Sequence, residues 1–241
     1  IRLYKYFFSK FINILKKLVS KNKLKQTKKI ITVAIDSPAA AGAGTQAKLI
    51  SKHYNLFYLD TGKIYRFVGM LKLKNPKNFT YTLIKKKINK LKIKDLNNKS
   101  LLTDGVALMA SIIAKDKKIR KIVRNFQTKC AYNPPKKYNG SVLDGRDIGS
   151  VICKDAMFKF YITANIETRA MRRYKEYQKL NKKISYNQVL TSLKKRDFSD
   201  KNRKYGKLKK TSDSILLNTS KDSIKSCFKK IKAIMDRKLN N

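Results

Sequence analysis

A short apolar run that breaks into a loop of small residues constrains this chain more than any other feature. Lys29-Ile-Ile-Thr-Val-Ala-Ile35 is apolar almost throughout, as suits a strand buried on both faces of a parallel sheet. Asp36-Ser-Pro-Ala-Ala-Ala-Gly-Ala-Gly44 follows as a small-residue loop, and Thr45 to Tyr54 then sets Ala47, Leu49 and Ile50 on one side of a helix. The alternation continues downstream. Leu56 to Leu59, Ser141 to Asp144, Phe158 to Ile162 and Ser214 to Asn218 read as strands. Tyr65 to Leu73, residues 105–130, Ile166 to Leu180, Asn187 to Arg196 and Ser223 to Leu239 read as helices. Strands separated by helices imply an α/β fold of three layers, with a parallel core sheet covered on both faces. Residues 74–104 are rich in lysine and asparagine, alternate weakly around Leu91-Lys-Ile-Lys, and read as a small insert.

The loop after the first strand has the makings of a phosphate site. Backbone N–H groups converge in such a loop, and the helix N-terminus adds partial positive charge. Gly42 and Gly44 let an anion approach the backbone, and the Thr45 hydroxyl stands where it can ligate Mg²⁺. Against the phosphate-loop pattern G-x-x-x-x-G-K-[ST], with one extra glycine before the threonine, Ser37 replaces the first glycine and Ala43 replaces the lysine. Taken alone the match is weak, because a tight strand–helix turn in any α/β protein can look similar.

Two further strand ends give it weight. Leu59-Asp-Thr-Gly-Lys-Ile-Tyr-Arg66 and Val142-Leu-Asp-Gly-Arg-Asp-Ile-Gly149 place charged and small residues where strands leave the sheet. In open α/β sheets these carboxyl ends meet at the ligand crevice. Buried charges need partners, so packing alone does not account for three such clusters.

Composition narrows the class. The chain has 241 residues, 42% of them hydrophobic, which suits one α/β domain with a small appendage and not wholesale disorder. Its apolar runs are shorter than the roughly 20 residues that span a bilayer. Cys130, Cys153 and Cys227 are far apart and a single histidine accompanies them, so reduced structural thiols in a cytoplasmic protein are expected rather than a zinc site. Lys+Arg 59 against Asp+Glu 15 gives a net charge of +44, which attracts polyanions. The lysines spread along the whole chain instead of clustering, which points to compositional bias rather than a nucleic-acid stripe. Residues 1–29 hold ten Lys/Arg and no acid, with Tyr4, Phe8, Phe11, Leu15 and Leu18 at helical spacing; they read as a basic extension ahead of the domain. His53 reads as a surface or packing residue, Cys153 as buried packing, Met109, Met157 and Met171 as core residues, and Pro134-Pro135 as a turn before a strand.

Taken together, the chain resembles the bacterial cytidylate kinases over about residues 30–240. The resemblance rests on IDSPAAAGAGT, LDTGKIYR, Arg120 with Ser111 nine residues before it, LDGRDIGSVI, Arg169-Ala-Met-Arg-Arg173, and Lys195-Arg-Asp-Phe-Ser-Asp-Lys-Asn-Arg203. It implies a P-loop kinase with a helical lid at about 169–185, a small nucleotide-binding insert, and transfer of a phosphoryl group from ATP to CMP or dCMP with Mg²⁺. It further implies that ATP sits on Ser37, Pro38, Ala39, Ala40, Ala41, Gly42, Ala43, Gly44 and Thr45, with Arg172 above it. Arg146, Arg169 and Arg173 would neutralise the transferring phosphate. Thr61, Arg66, Ser111, Arg120, Asp144, Arg146, Asp147, Arg196, Asp200 and Arg203 would hold CMP, with Asp147 accepting from the cytosine amino group and Arg120 and Ser111 donating to its acceptors.

The departure at Ala43 matters most, since a lysine there steadies the β/γ-phosphates; Lys48 or a lid arginine is expected to supply the missing charge. The stretch from Arg66 to Ser111 is short for the family, which suggests a trimmed β insert and leaves UMP open as an extra substrate. A monomer without a specific nucleic-acid partner or membrane span is expected. The rival is a nucleotide- or RNA-binding protein on the same fold that no longer transfers phosphate.

Overall fold

The computed structural model describes residues 30–240. The amphipathic helix expected within residues 1–29 lies outside the described residues.

Five strands form one parallel sheet: β1 (Ile31–Asp36), β2 (Phe57–Asp60), β3 (Gly140–Gly145), β4 (Phe158–Thr163) and β5 (Ile215–Asn218), in the order β2-β3-β1-β4-β5. β1 is therefore central, flanked by β3 with Val33 beside Val142 and by β4 with Ile35 beside Phe160. Side chains alternate across the pleat. Val33, Ile35, Val142, Phe160 and Ile162 pack on one face with Ile50 and Ile231, while Ala34, Leu59 and Leu143 pack on the other with Ile64, Val68 and Val123. Burial on both faces is why β1 carries an almost unbroken apolar run.

The covering helices are α1 (Ala43–Tyr54), α2 (Thr61–Lys74), α3 (Tyr81–Asn89), α4 (Asp104–Ile113), α5 (Lys117–Tyr132), α6 (Ile166–Lys179), α7 (Tyr186–Asn202) and α8 (Ile224–Leu239). α1 and α8 cover one face through Ala47, Ile50, Cys227, Ile231 and Met235. α2 to α5 cover the other. The expected three layers are present.

Four local expectations are corrected. Residues 74–104 contain no strand: α3 starts where the Thr80 hydroxyl accepts from Leu83 N at 3.2 Å, and two 3₁₀ turns, Ile93–Asn97 and Lys99–Leu102, follow. Leu91, Leu96 and Leu101 are buried by these turns, so the alternation that suggested a β insert serves a different backbone. The helix expected over 105–130 is two, because the Asp116 carboxylate accepts from Ile119 N at 2.9 Å and starts α5 afresh. α2 begins at Thr61, four residues before the expected Tyr65, directly where β2 ends. Met171, expected in the core, is 43% exposed on α6.

The loop between β1 and α1 is positioned from several sides. Ser37 N donates to Gly145 O at 3.1 Å, joining it to the end of β3. Ala39 packs against Ala170, Val189 and Leu193, which ties the loop to α6 and α7. Gly42 turns the chain at φ 92°. Ala40 takes φ 60° without being glycine, a conformation that costs a β-carbon roughly 1–2 kcal/mol.

Candidate active site

The carboxyl ends of β1, β2 and β3 open into one cavity of about 830 Å³. Every nucleotide-site residue proposed above lines it except Arg169: the whole loop from Ser37 to Thr45, Thr61, Arg66, Ser111, Arg120, Asp144, Arg146, Asp147, Arg172, Arg173, Arg196, Asp200 and Arg203. Residues up to 166 positions apart in sequence are thus gathered by the parallel topology.

At one end five guanidinium groups, Arg66, Arg120, Arg146, Arg196 and Arg203, face two carboxylates, Asp147 and Asp200. Asp200 organises three of them. It takes Arg146 Nε at 2.8 Å and Arg203 Nη1 at 3.2 Å, with Arg196 Nε at 3.9 Å. Arg196 Nε is out of solvent and makes no hydrogen bond, while its outer side chain stays open to the cavity. Burial, and next the Arg146 charge, pull the Arg196 pKa down to about 10. Burial also pulls the Arg66 and Arg203 pKa values down from the usual guanidinium range. Five positive groups against two negative ones leave a buried excess of charge, most of which a phosphate dianion would offset through bidentate contacts.

Within this cluster Arg120 and Asp147 form a buried ion pair, and Arg120 Nη1 also donates to Ala114 O at 3.0 Å. Gly206, at φ 62°, presses on the same guanidinium, and a methyl group there would overlap it. Sequence reading missed Gly206; an isolated glycine three residues past Arg203 was the available signal. Gly206→Ala is expected to push Arg120 off Asp147 and raise the KM for CMP by about tenfold, as loss of one charge-assisted hydrogen bond does. Steady-state kinetics on the folded variant will measure it, and an unchanged KM would refute the seating role.

Asp36 was also missed, although a lone acid closing an apolar strand is a visible signal. Its buried carboxylate accepts from Ile148 N at 2.6 Å and Gly149 N at 2.8 Å. It thereby fixes the turn that presents Arg146 and Asp147. Burial raises its pKa to about 6, against the lowering effect of those two hydrogen bonds.

Asp60 and Asp144 lie side by side in the register of β2 and β3. Asp144 Oδ1 is buried without a hydrogen-bond partner, and burial, then the Asp60 charge, raise the Asp144 pKa to about 7. A methyl on Gly44 would meet Asp144 Oδ2 at 3.3 Å and the Tyr58 hydroxyl at 3.5 Å, so the loop lies directly against this acid. Among the described residues no group of three or more His, Cys, Asp or Glu is placed to hold a metal. Thr61, expected to touch a monophosphate, lines the cavity and donates its hydroxyl to Asp144 O at 2.7 Å, which pins the start of α2 to β3.

The three arginines of α6 divide. Arg169 is 5% exposed and donates Nε to Ala164 O at 2.9 Å, Nη1 to Ala39 O at 3.1 Å and Nη2 to Asp197 at 2.6 Å. It sits behind the loop as a brace rather than in the cavity, because a buried guanidinium must satisfy its donors locally. Arg173 lines the cavity and pairs with Glu176 at 2.8 Å. Arg172 also lines it and donates twice to Thr219. Lys48 lines the cavity from an exposed position on α1, and Ala43 is buried at the first turn. His53 is exposed and Cys153 buried, as expected. The three cysteines are free thiols, and no described helix is long and apolar enough to cross a membrane.

Known proteins resemble this chain. An uncharacterized protein from Eubacterium ventriosum, of known crystal structure, superposes with a TM-score of 0.52 over 86% of this chain and 98% of its own, at 17% identity, which supports the fold alone. A cytidylate kinase of Bartonella tribocorum is 42% identical over 207 residues, covering 83% of this chain and 92% of that protein. One from Clostridium botulinum is 39% identical over 216 residues, covering 86% and 98%. One from Azorhizobium caulinodans is 40% identical over 205 residues, covering 85% and 98%. The family model for cytidylate kinase matches residues 33–237, nearly the whole described domain, and the chain belongs to the cytidylate kinase family.

Proposed function

We propose that this protein phosphorylates CMP and dCMP at the expense of ATP, yielding CDP or dCDP and ADP. The observation that carries the reading is the convergence of a phosphate loop and a five-arginine cluster on one cavity, with the ion pair Arg120–Asp147 inside the cluster. The loop amides and the N-terminus of α1 hold the ATP phosphates. Arg66, Arg146 and Arg196 hold the CMP phosphate, with Asp200 spacing the guanidinium groups, and Arg203 braces that carboxylate. Asp147 accepts from the cytosine amino group, and Arg120 and Ser111 donate to its acceptor atoms.

In the reaction a phosphate oxygen of CMP forms the new bond to the γ-phosphorus. The bond from that phosphorus to the β–γ bridging oxygen breaks, and ADP carries the electron pair away. The CMP phosphate is already an oxyanion near neutral pH, so no general base is required. Arg146 and Arg173 supply charge to the oxygens of the transferring group. Arg169 acts at one remove, by holding Ala39 of the loop.

The buried, unpartnered Asp144 Oδ1, with Asp60 beside it and the Thr45 hydroxyl nearby in the loop, is an all-oxygen donor set suited to Mg²⁺ shared with nucleotide phosphates. When bound with ATP, Mg²⁺ neutralises charge on the β- and γ-phosphates. Burial and the neighbouring Asp60 charge hold the Asp144 carboxyl above the usual carboxylate range, so it keeps its proton to higher pH than an ordinary aspartate. The kcat/KM for MgATP is therefore expected to fall as pH drops through the neutral range. Asp144→Asn should be slow at every pH and lose that limb; a variant that retained the limb would refute the assignment.

The direct test is CDP formation from ATP, Mg²⁺ and CMP, compared with dCMP, UMP and AMP. CMP and dCMP are expected to lead. No CDP above background, with tight salt-sensitive RNA binding, would instead support a binding protein on this fold. A reducing, cytoplasmic location is part of the proposal, consistent with the three free thiols, and so is a monomer.

A further inference from the structure

The cation missing at Ala43 has a replacement already docked on the loop. We infer that Arg172, held by Thr219, takes the place of the phosphate-loop lysine and binds the ATP phosphates from the lid side. The inference rests on reading the cavity as an ATP site.

Arg172 Nη1 donates to Thr219 Oγ1 at 3.0 Å, and Nη2 to Thr219 O at 2.6 Å. Thr219 is itself fixed: it is 4% exposed, its N–H donates to Thr163 O at 2.7 Å, and its hydroxyl donates to Ala41 O at 3.0 Å. The guanidinium is therefore linked to the loop backbone through one buried side chain. It stands over Gly42, the residue before Ala43, where a methyl group would meet Nη1 at 4.0 Å. Two of its five N–H groups are used, so three remain to meet phosphate oxygens.

The other cations of the cavity are less suited. Arg66, Arg146 and Arg196 gather at the Asp200 end, and Arg173, whose ion pair is to Glu176 on its own helix, has no anchor on the loop backbone among the described residues. Lys48 is exposed on α1, with no partner among the described residues to hold it at the loop. A lysine on the loop reaches the phosphates by its own flexible stem. An arginine from α6 needs an anchor to stand there before nucleotide arrives, and Thr219 provides one.

The test is calorimetric binding of ATP, ADP and adenosine to the full chain, for wild type, Arg172→Met, Ala43→Lys and the double variant, with melting curves as a fold check. Arg172→Met should weaken ATP and ADP by about 10- to 100-fold, the range for a lost charge-assisted contact, and adenosine far less. Ala43→Lys should restore most of that loss in the Arg172→Met background yet add little to the wild type, because the two cations serve one site. Thr219→Val, which keeps the guanidinium but removes the hydroxyl tether, should lie between, and it carries the test if Arg172→Met does not fold. Equal losses for ATP and adenosine would mean that Arg172 contacts the base. The same gain from Ala43→Lys in both backgrounds would mean independent sites, and a matching loss in Lys48→Met would transfer the role to Lys48. Each of these overturns the inference. CDP formation by the wild type tests the kinase reading separately.

Discussion

Replacing Arg146 by alanine is expected to lower CDP formation by a factor on the order of 10²–10³ while leaving the protein folded, the cost typical of removing one preorganised donor from a developing charge. Arg146 leaves the sheet at the end of β3, donates Nη1 to Gly145 O at 3.1 Å, and is aligned by Asp200 at 2.8 Å. Its side chain is only partly buried, and Asp200 keeps Arg203 at 3.2 Å when Arg146 is gone, so little stability is at stake. Turnover and the KM for CMP should both deteriorate, because the group touches the acceptor phosphate and the transferring one. A folded Arg146→Ala enzyme with full activity would remove the site assignment.

The second large effect is expected at Asp36. Its two oxygens satisfy Ile148 N and Gly149 N inside the protein, so Asp36→Ala strands two buried donors and should cost about 2–6 kcal/mol, at roughly 1–3 kcal/mol for each. Activity should fall with it, by about 100-fold, because Arg146 and Asp147 hang on the same turn and small misplacements of positioning groups are expensive. The acid also leaves a signature in pH. Its folded pKa of about 6 stands above the ordinary 3.8, so the folded protein binds the extra proton between these values. Stability contributed by that proton is complete at the acid end of the window and is lost as pH rises through about 6, by at most about 3 kcal/mol. Asp36→Asn, which cannot titrate, should lose this slope. Urea melts across the acid range measure it, and an identical slope in Asp36→Asn would assign the slope to other groups. Burying a charge that destabilises the fold at neutral pH is understandable if the site needs the turn held.

Much of the fold could be read from one dimension. The strands are short apolar runs because both faces of the sheet are covered, and the clusters at Asp60–Arg66 and Asp144–Asp147 follow strand ends, where open α/β sheets bind ligands. Local patterning failed where two backbones suit one pattern. Leu91-Lys-Ile-Lys alternates as a strand would, yet here Leu91 is buried just past the end of α3 and a 3₁₀ turn follows, and Asp116 stops one helix and starts the next with a single side-chain bond.

Motif spacing also could not divide Arg169 from Arg172 and Arg173. All three stand within five residues on α6, but the helix turns Arg169 inward to Ala39 and Asp197, Arg172 to Thr219 and Arg173 to the cavity.

The sequence by itself therefore determined the layered α/β class, the order of the chemical segments, their likeness to the cytidylate kinases and the absence of a lysine at position 43, since periodicity and residue identity are local properties. Only the tertiary structure decided that β1 lies between β3 and β4, that Asp36 clamps a turn more than a hundred residues away, and that Thr219 seats Arg172 over the loop. Those outcomes depend on which distant donors and acceptors meet once the sheet has formed, and on the need for each buried charge to find its partner there.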